Sequence, residues 1–401
     1  MKPLAIAFLA SLVVAGFGGR APALAPATTA PAAASATATS LTAAPATTVP
    51  APAVDVAAPA AYIPTTPRVS VARVTLAQLI GQKLVVRMDG TTPGADLLGR
   101  IKRGEVGGVV LLGFNITSPS QLTALTAQLR GAAAAGGQPQ LLIGVDQEGG
   151  SVKRIPWAPP TLSAQQMGRM NSALVARDQG TKTGAALRGL GINVDFAPVA
   201  DVPASANSFM YKAGRTFSFS ATRTAVLTDA FAAGLESKGV DATMKHFPGI
   251  GFATRNTDAY VITIGATRAA LAPGLLPYRT AIAHHIPLIM LSNATYSAYD
   301  TVNAAGWSRA IQVNLLRQTL GFTGVTITDS LDGTAHARGL PTSLLAVRAA
   351  RAGTDMILMT GSEASTKAVY ATLLADAQSG YIQTDRLRAS YTRILALKAG
   401  L

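Results

Sequence analysis

The stretch Leu141-Leu142-Ile143-Gly144-Val145 runs straight into Asp146-Gln147-Glu148. Five small or apolar residues in succession are too few for a helix. They leave neither face polar, which is the pattern of a strand covered on both sides in a parallel sheet. The run then stops in two acids and an amide, so reactive groups sit at its carboxyl end. The same form recurs along the chain. Strands are expected at 83–88, 107–113, 140–146, 192–198, 240–246, 287–293, 323–329 and 355–360. Helical patterns separate them, near 94–104, 119–135, 164–189, 221–238, 267–284, 308–320, 342–352 and 364–378, with a last one over 384–399. Eight such units predict an α/β fold, a (β/α)8 TIM-type barrel over residues 71–401. An open doubly wound sheet is the rival. The strand ends argue for the barrel. The fourth run ends near Asp195 and leads to Asp201, the fifth ends in Lys245-His246, the sixth in Ser292-Asn293 and the seventh in Thr328-Asp329. One Asp after a strand is usually a helix cap. Polar groups at the carboxyl ends of five strands are what a barrel active site needs.

Composition fits this body. Of 401 residues, 49% are apolar and 13% charged, which supplies a large core. Cysteine is absent, which excludes disulfides, thiolate metal sites, a cysteine nucleophile and a lipidated-cysteine anchor. Four histidines and no HExxH-like spacing make a metal centre unexpected. The net charge is +14, and residues 1–70 contribute only Lys2, Arg20, Arg68 and Asp55 to it. The remaining cations are scattered and aromatics are 5%, so nucleic acid is not the expected partner. Anionic wall polymers suit a basic secreted chain better.

The first residues read as an address. Lys2 precedes an apolar run from Leu4 to about Phe17, and Ala21-Pro22-Ala23 or Ala23-Leu24-Ala25 offers a cleavage site. A signal peptide is expected over 1–25, with an uncleaved anchor as the alternative; the run is short of the roughly 20 residues that span a bilayer. Residues 26–70 are almost entirely Ala, Pro, Thr, Ser and Val, the composition of a disordered tether. A secreted or wall-associated monomer without a transmembrane anchor is therefore expected.

Six motifs sharpen the reading. Asp146-Gln147-Glu148-Gly149-Gly150-Ser151-Val152-Lys153-Arg154 resembles the D-Q-E-G-G-x-V-x-R signature of glycoside hydrolase family 3. Lys245-His246-Phe247-Pro248-Gly249 resembles its K-H-F-P-G signature. Asn193 to Val202, Gly214-Arg215-Thr216-Phe217-Ser218, Thr328-Asp329-Ser330-Leu331 and Ala352 to Met356 follow in the family's order. The spacing is similar to that of single-domain β-N-acetylhexosaminidases of the NagZ type. The resemblance implies a retaining β-glycosidase that needs no metal or cofactor. It places the nucleophile at Asp329. It places first-subsite sugar contacts at Asp146, Arg154, Arg215, Lys245 and His246. A buried Asp146–Arg215 ion pair bracing the loops is the structural alternative. Asn293 stands where the family commonly has His, and is read as a substrate contact.

The resemblance breaks at the general acid. NagZ-type chains carry an Asp-His dyad after K-H-F-P-G. Here the loop reads Ile250-Gly251-Phe252-Ala253-Thr254-Arg255-Asn256-Thr257-Asp258, with Asn256 at the dyad Asp and Asp258 at the dyad His. Asp258 is the expected acid/base, given a setting that raises its pKa, for which Phe252 and Tyr260 are candidates. Glu148 is a weaker candidate. The expected function is removal of terminal β-linked N-acetylglucosamine from wall-derived or chitin-type glycans. Three alternatives stay open: a glycan-binding barrel without turnover, a β-glucosidase, and a phosphorolytic relative. Asp332 reads as a cap or as a residue that supports the site without touching substrate. His284, His285 and His336 are given no catalytic part.

Overall fold

The computed structural model describes residues 74–401. The expected signal peptide (1–25) and linker (26–70) lie outside the described residues. Eight parallel strands lie in chain order around the sheet: β1 Leu84–Arg87, β2 Gly108–Leu111, β3 Leu142–Val145, β4 Val194–Asp195, β5 Asp241–Phe247, β6 Leu288–Leu291, β7 Val325–Thr328 and β8 Ile357–Met359. β8 pairs with β1. β7 and β8 meet through one bridge, Ile327 with Met356. The Thr328 N–H donates to the Met356 carbonyl (3.1 Å) and the Met356 N–H to the Thr326 carbonyl (2.8 Å). Hydroxyls help at this seam: the Leu358 N–H donates to Thr328 Oγ1 (3.0 Å) and the Asp355 N–H to Thr326 Oγ1 (3.1 Å). The sheet is a closed barrel, and the open-sheet rival falls.

Both faces of the strands are buried, as the unbroken apolar runs require. Val85, Val110, Leu142, Val194, Leu288, Met290, Val325, Ile327 and Leu358 pack together inside. Their neighbours Leu84, Val86, Val109, Leu111, Ile143, Val145, Ile289 and Leu291 pack with the helices outside. This alternation is the period of two of a strand. Gly144 takes an inward position because a Cβ there would stand 2.6 Å from the Phe196 ring, which fills the barrel in its place.

The expected helices form with three local differences, and Leu76–Gly81, Phe209–Lys212 and Leu331–Ala337 add short ones that no pattern announced. The pattern over 164–189 is two helices, Ala164–Met170 and Ala173–Gly189. Asn171 ends the first in the left-handed region and Ser172 caps the second. The pattern over 267–284 is cut into three short pieces around Pro273 and Pro277, which lack the N–H a helix needs. Ala310–Thr319 is wound as a π-helix. A hairpin (Gln147–Gly149 with Val152–Lys153) and a small sheet of Thr263–Ile264, Thr295–Tyr296 and Asp300–Ala304 decorate the carboxyl end. Neither was apparent in the strand pattern. Among the described residues no helix is long and apolar enough to cross a membrane.

Candidate active site

A cavity of about 300 Å³ opens at the carboxyl ends of the strands. Its floor is the top of the barrel interior, with Val110, Met290 and Leu358. Its walls include Asp146, Arg154, Arg215, Lys245, His246, Asp258 and Asp329. The structure thus brings together seven of the eight predicted site residues.

The hairpin after β3 folds Asp146 and Glu148 toward the end of β5. Lys245 Nζ lies 2.8 Å from Asp146 Oδ1 and 2.7 Å from Glu148 Oε1. Arg215 grips Glu148 with two parallel bonds, Nε to Oε2 at 2.8 Å and Nη2 to Oε1 at 2.7 Å. Arg154 Nη2 stands 3.5 Å from Asp146 Oδ2. The alternative reading of an Asp146–Arg215 ion pair does not hold, because Arg215 pairs with Glu148 instead. Burial alone would raise the Glu148 carboxyl, but Arg215 and Lys245 outweigh it and hold the group at about 2. Glu148 stays ionised and is no proton donor. At Asp146 burial likewise pushes the carboxyl up, and Lys245 with Arg154 outweighs it and holds the group below its ordinary value. Below them Asp195 is fully buried and accepts the Gln147 N–H at 2.9 Å. Burial pushes its carboxyl up to about 8, so it is neutral at pH 7.

Asp201, also fully buried, organises the loop after β5. Its Oδ2 stands 2.8 Å from His246 Nδ1, and its Oδ1 accepts the Ile250 N–H at 2.7 Å and the His246 N–H at 3.4 Å. Nδ1 is thereby committed, and Nε2 is the ring nitrogen left for a ligand.

Asp329 follows β7. Its N–H donates to the Leu291 carbonyl (2.9 Å), and its Oδ1 accepts the Ser330 N–H (2.8 Å). Among the described residues no cation pairs with it, so the carboxylate is not neutralised by a neighbour. Asp258 reaches the same cavity from the β5 loop. Asn256 Oδ1 accepts its N–H at 3.0 Å, so Asn256 braces the loop. Asp258 Oδ1 is buried with no partner among the described residues. Burial, then the charge of Asp329, push the Asp258 carboxyl up to about 7; His246 and Arg215 pull the other way. The loop rests on Gly333, where a Cβ would stand 2.7 Å from the Asp258 carbonyl oxygen and 3.2 Å from its Cβ.

Several expectations need correction. Asn293 is 1% exposed and outside the cavity wall; its Nδ2 donates to the Ser330 carbonyl at 2.7 Å, steadying the turn beside Asp329. Phe252 and Tyr260 do not enclose Asp258: both are exposed, and Tyr260 lies under the Arg255 guanidinium. Asp332 accepts the Thr360 N–H at 2.7 Å and braces β8, as a non-catalytic residue should. His284 pairs with Asp229, away from the cavity. The roles of Asp201 and Gly333 escaped the sequence reading. Asp201 was visible as a polar residue between apolar ones; for Gly333 no signal existed.

Comparison with known proteins agrees with this fold. The profile described as "Glycosyl hydrolase family 3 N terminal domain" matches residues 73–397. An uncharacterized secreted glycosyl hydrolase of Arthroderma benhamiae is 33% identical over 335 residues, covering 82% of this chain and 94% of that protein. Beta-hexosaminidase A of Pseudoalteromonas piscicida is 31% identical over 383 residues, covering 84% of this chain but 63% of the relative, so this chain spans less than two thirds of it. The crystal structure of a β-N-acetylhexosaminidase from Beutenbergia cavernae superposes with a TM-score of 0.75 at 33% identity, covering 82% of this chain and 99% of that one. The barrel, the charged cavity at its carboxyl end and these relatives agree: the chain belongs to glycosyl hydrolase family 3 and is a glycoside hydrolase of the NagZ-like, β-N-acetylhexosaminidase type.

Proposed function

We propose that the protein is a secreted or wall-associated retaining enzyme that removes terminal β-linked N-acetylglucosamine from wall-derived or chitin-type glycans. One observation carries the reading: Asp329 and Asp258 face one cavity, and the second is held as a carboxylic acid up to about pH 7. A retaining hydrolase needs one carboxylate and one carboxylic acid across the glycosidic bond. In the first half-reaction an Asp329 oxygen bonds to the anomeric carbon. The bond from that carbon to the aglycone oxygen breaks, and Asp258 gives this oxygen its proton. Asp329 is then an uncharged ester. The negative charge that helped hold the proton on Asp258 is gone, so the Asp258 carboxylate remains available as a base. It takes a proton from water while the water oxygen bonds to the anomeric carbon and the ester bond breaks. The sugar leaves with its β configuration. A carboxylate at 258 also repels phosphate at this step, which favours hydrolysis over phosphorolysis.

The remaining groups fit a sugar's hydroxyls. Asp146 can accept two of them, Lys245 and Arg154 can donate, and His246 offers Nε2. Arg215 acts through Glu148 and from the cavity wall. Secretion is supported by the apolar N-terminal run and by the name of the Arthroderma relative.

A panel of β-linked nitrophenyl sugars tests the reading with wild type, Asp329→Asn and Asp258→Asn. The N-acetylglucosaminide should be turned over fastest, Asp329→Asn should be inactive, and azide should rescue Asp258→Asn with a β-glycosyl azide as product. Preference for a glucoside or xyloside would overturn the substrate. Failure of azide to rescue would overturn Asp258.

A further inference from the structure

The segment 209–216 has two faces. Phe209, Met210 and Arg215 line the catalytic cavity, while Tyr211 and Thr216 line a second groove of about 460 Å³. The other walls are helix Ala164–Met170, which follows β3, and the start of helix Ala221–Glu236, which follows β4. Both stand at the catalytic end of the barrel. A side chain on Gly168 would collide with the Phe217 carbonyl, so the two walls are in direct backbone contact and the groove is preformed.

Its chemistry is unusual for a solvated surface. The Tyr211 and Phe219 rings meet with centroids 4.6 Å apart, tilted by 48°, and Phe219 is 47% exposed. Arg169 and Arg223 are exposed on the rim, and no carboxylate lines the groove. Among the described residues neither guanidinium has an ion-pair partner. Thr216 is 1% exposed, and its Oγ1 has no hydrogen-bond partner among the described residues. Ordinary charged surface intersperses both signs. Here cations stand alone beside bare aromatic faces and an unpaired buried hydroxyl.

We propose that this groove is a second glycan-binding site, which takes a strand bearing both sugar rings and carboxylates: a peptide-substituted glycan. Apolar ring faces suit the C–H faces of sugars. Guanidiniums suit carboxylates, which they can hold with two parallel bonds. A neutral glycan has no use for two unpaired cations, and a polyanion without sugars has none for the rings. The inference rests on the wall-glycan reading above. It would hold the polymer beside the cavity while its end is trimmed.

The test is co-sedimentation of the full chain with insoluble peptidoglycan and with chitin, in an Asp329→Asn background that leaves both polymers intact. Arg169→Ala with Arg223→Ala should weaken peptidoglycan binding about tenfold at low salt and leave chitin binding alone. Phe219→Ala should weaken both. The same groove substitutions with Asp329 restored should hydrolyse nitrophenyl N-acetylglucosaminide at the wild-type rate. Equal peptidoglycan binding with and without the arginines overturns the proposal. So does loss of small-substrate turnover in the arginine variant, which would place these residues in folding or catalysis. Failure of wild type on the small substrate would instead sink the substrate reading, with sedimentation still reporting on the groove.

Discussion

The two ends of the barrel bury charge on opposite terms. At the amino end, Asp355 precedes β8 and is fully buried. Its Oδ1 takes Arg393 Nε and Nη2 at 3.0 and 2.7 Å; its Oδ2 takes Arg317 Nη2, the Thr326 N–H and Thr326 Oγ1. Nothing is left over for a ligand. At the carboxyl end, Asp258 Oδ1 has no partner among the described residues and no cation pairs with Asp329. The carboxyl end has a saturated pairing of its own, Glu148 with Arg215 and Lys245, but beside it stand two carboxyl groups that no cation neutralises. The barrel rule that the amino end serves stability and the carboxyl end chemistry is visible here in the contrast of Asp355 with Asp258 and Asp329.

Substitutions at the two ends should therefore dissociate. Asp329→Asn should lower turnover by about 10⁴-fold or more with an unchanged urea midpoint. Asp355→Asn leaves Arg317 and Arg393 without their anion and should cost about 3–5 kcal/mol of stability, with normal turnover per folded molecule. Loss of turnover in proportion to stability in both would erase the distinction. Next in size is the pH profile. Since Asp258 must be protonated to donate, kcat/KM on poor leaving groups should fall above pH 7 by about tenfold per pH unit. The limb should vanish for dinitrophenyl leaving groups, which need no proton; its persistence there would assign it to another residue. Gly333→Ala should push the Asp258 loop away and slow poor leaving groups by roughly 10- to 100-fold, sparing dinitrophenyl substrates. A uniform loss on both would point to a damaged fold instead.

A further pH effect belongs to the amino end. Lys398 is buried, bonded to Gln82 Oε1 and the Gly107 carbonyl at 2.6 Å each, and burial lowers it from 10.5 to about 7. Between those values the unfolded chain binds the extra proton, so stability should rise with pH across that window. In Lys398→Met this part of the slope should disappear; parallel stability curves for the two proteins would refute it.

The strands were legible because most of them are apolar on both faces and none is longer than seven residues. Their reactive ends were legible because Asp146, Lys245-His246 and Asp329 break apolar runs. Which acid pairs with which cation was not. Arg215 lies 67 residues from Glu148, and its reach is set by the path of a loop that no local pattern encodes. Asn293 misled because a polar residue at a strand end can turn toward the cavity or toward a backbone carbonyl, and its sequence does not distinguish the two. Phe252 and Tyr260 misled because proximity in a loop says nothing about which side faces inward. Gly333 matters for the space above it, which only the docked loop defines.

The seam between β7 and β8 has a mechanical consequence. The strand that leads to Asp329 is joined to its next neighbour by one ladder bridge and by threonine hydroxyls. Hydroxyl links can be exchanged for water singly, without unzipping a ladder. The line of weakness in the cylinder thus runs directly beneath Asp329. Amide protons along 325–329 and 356–358 should trade with solvent earlier than those of β2 and β3. Heat should silence the enzyme while most of its secondary structure still stands.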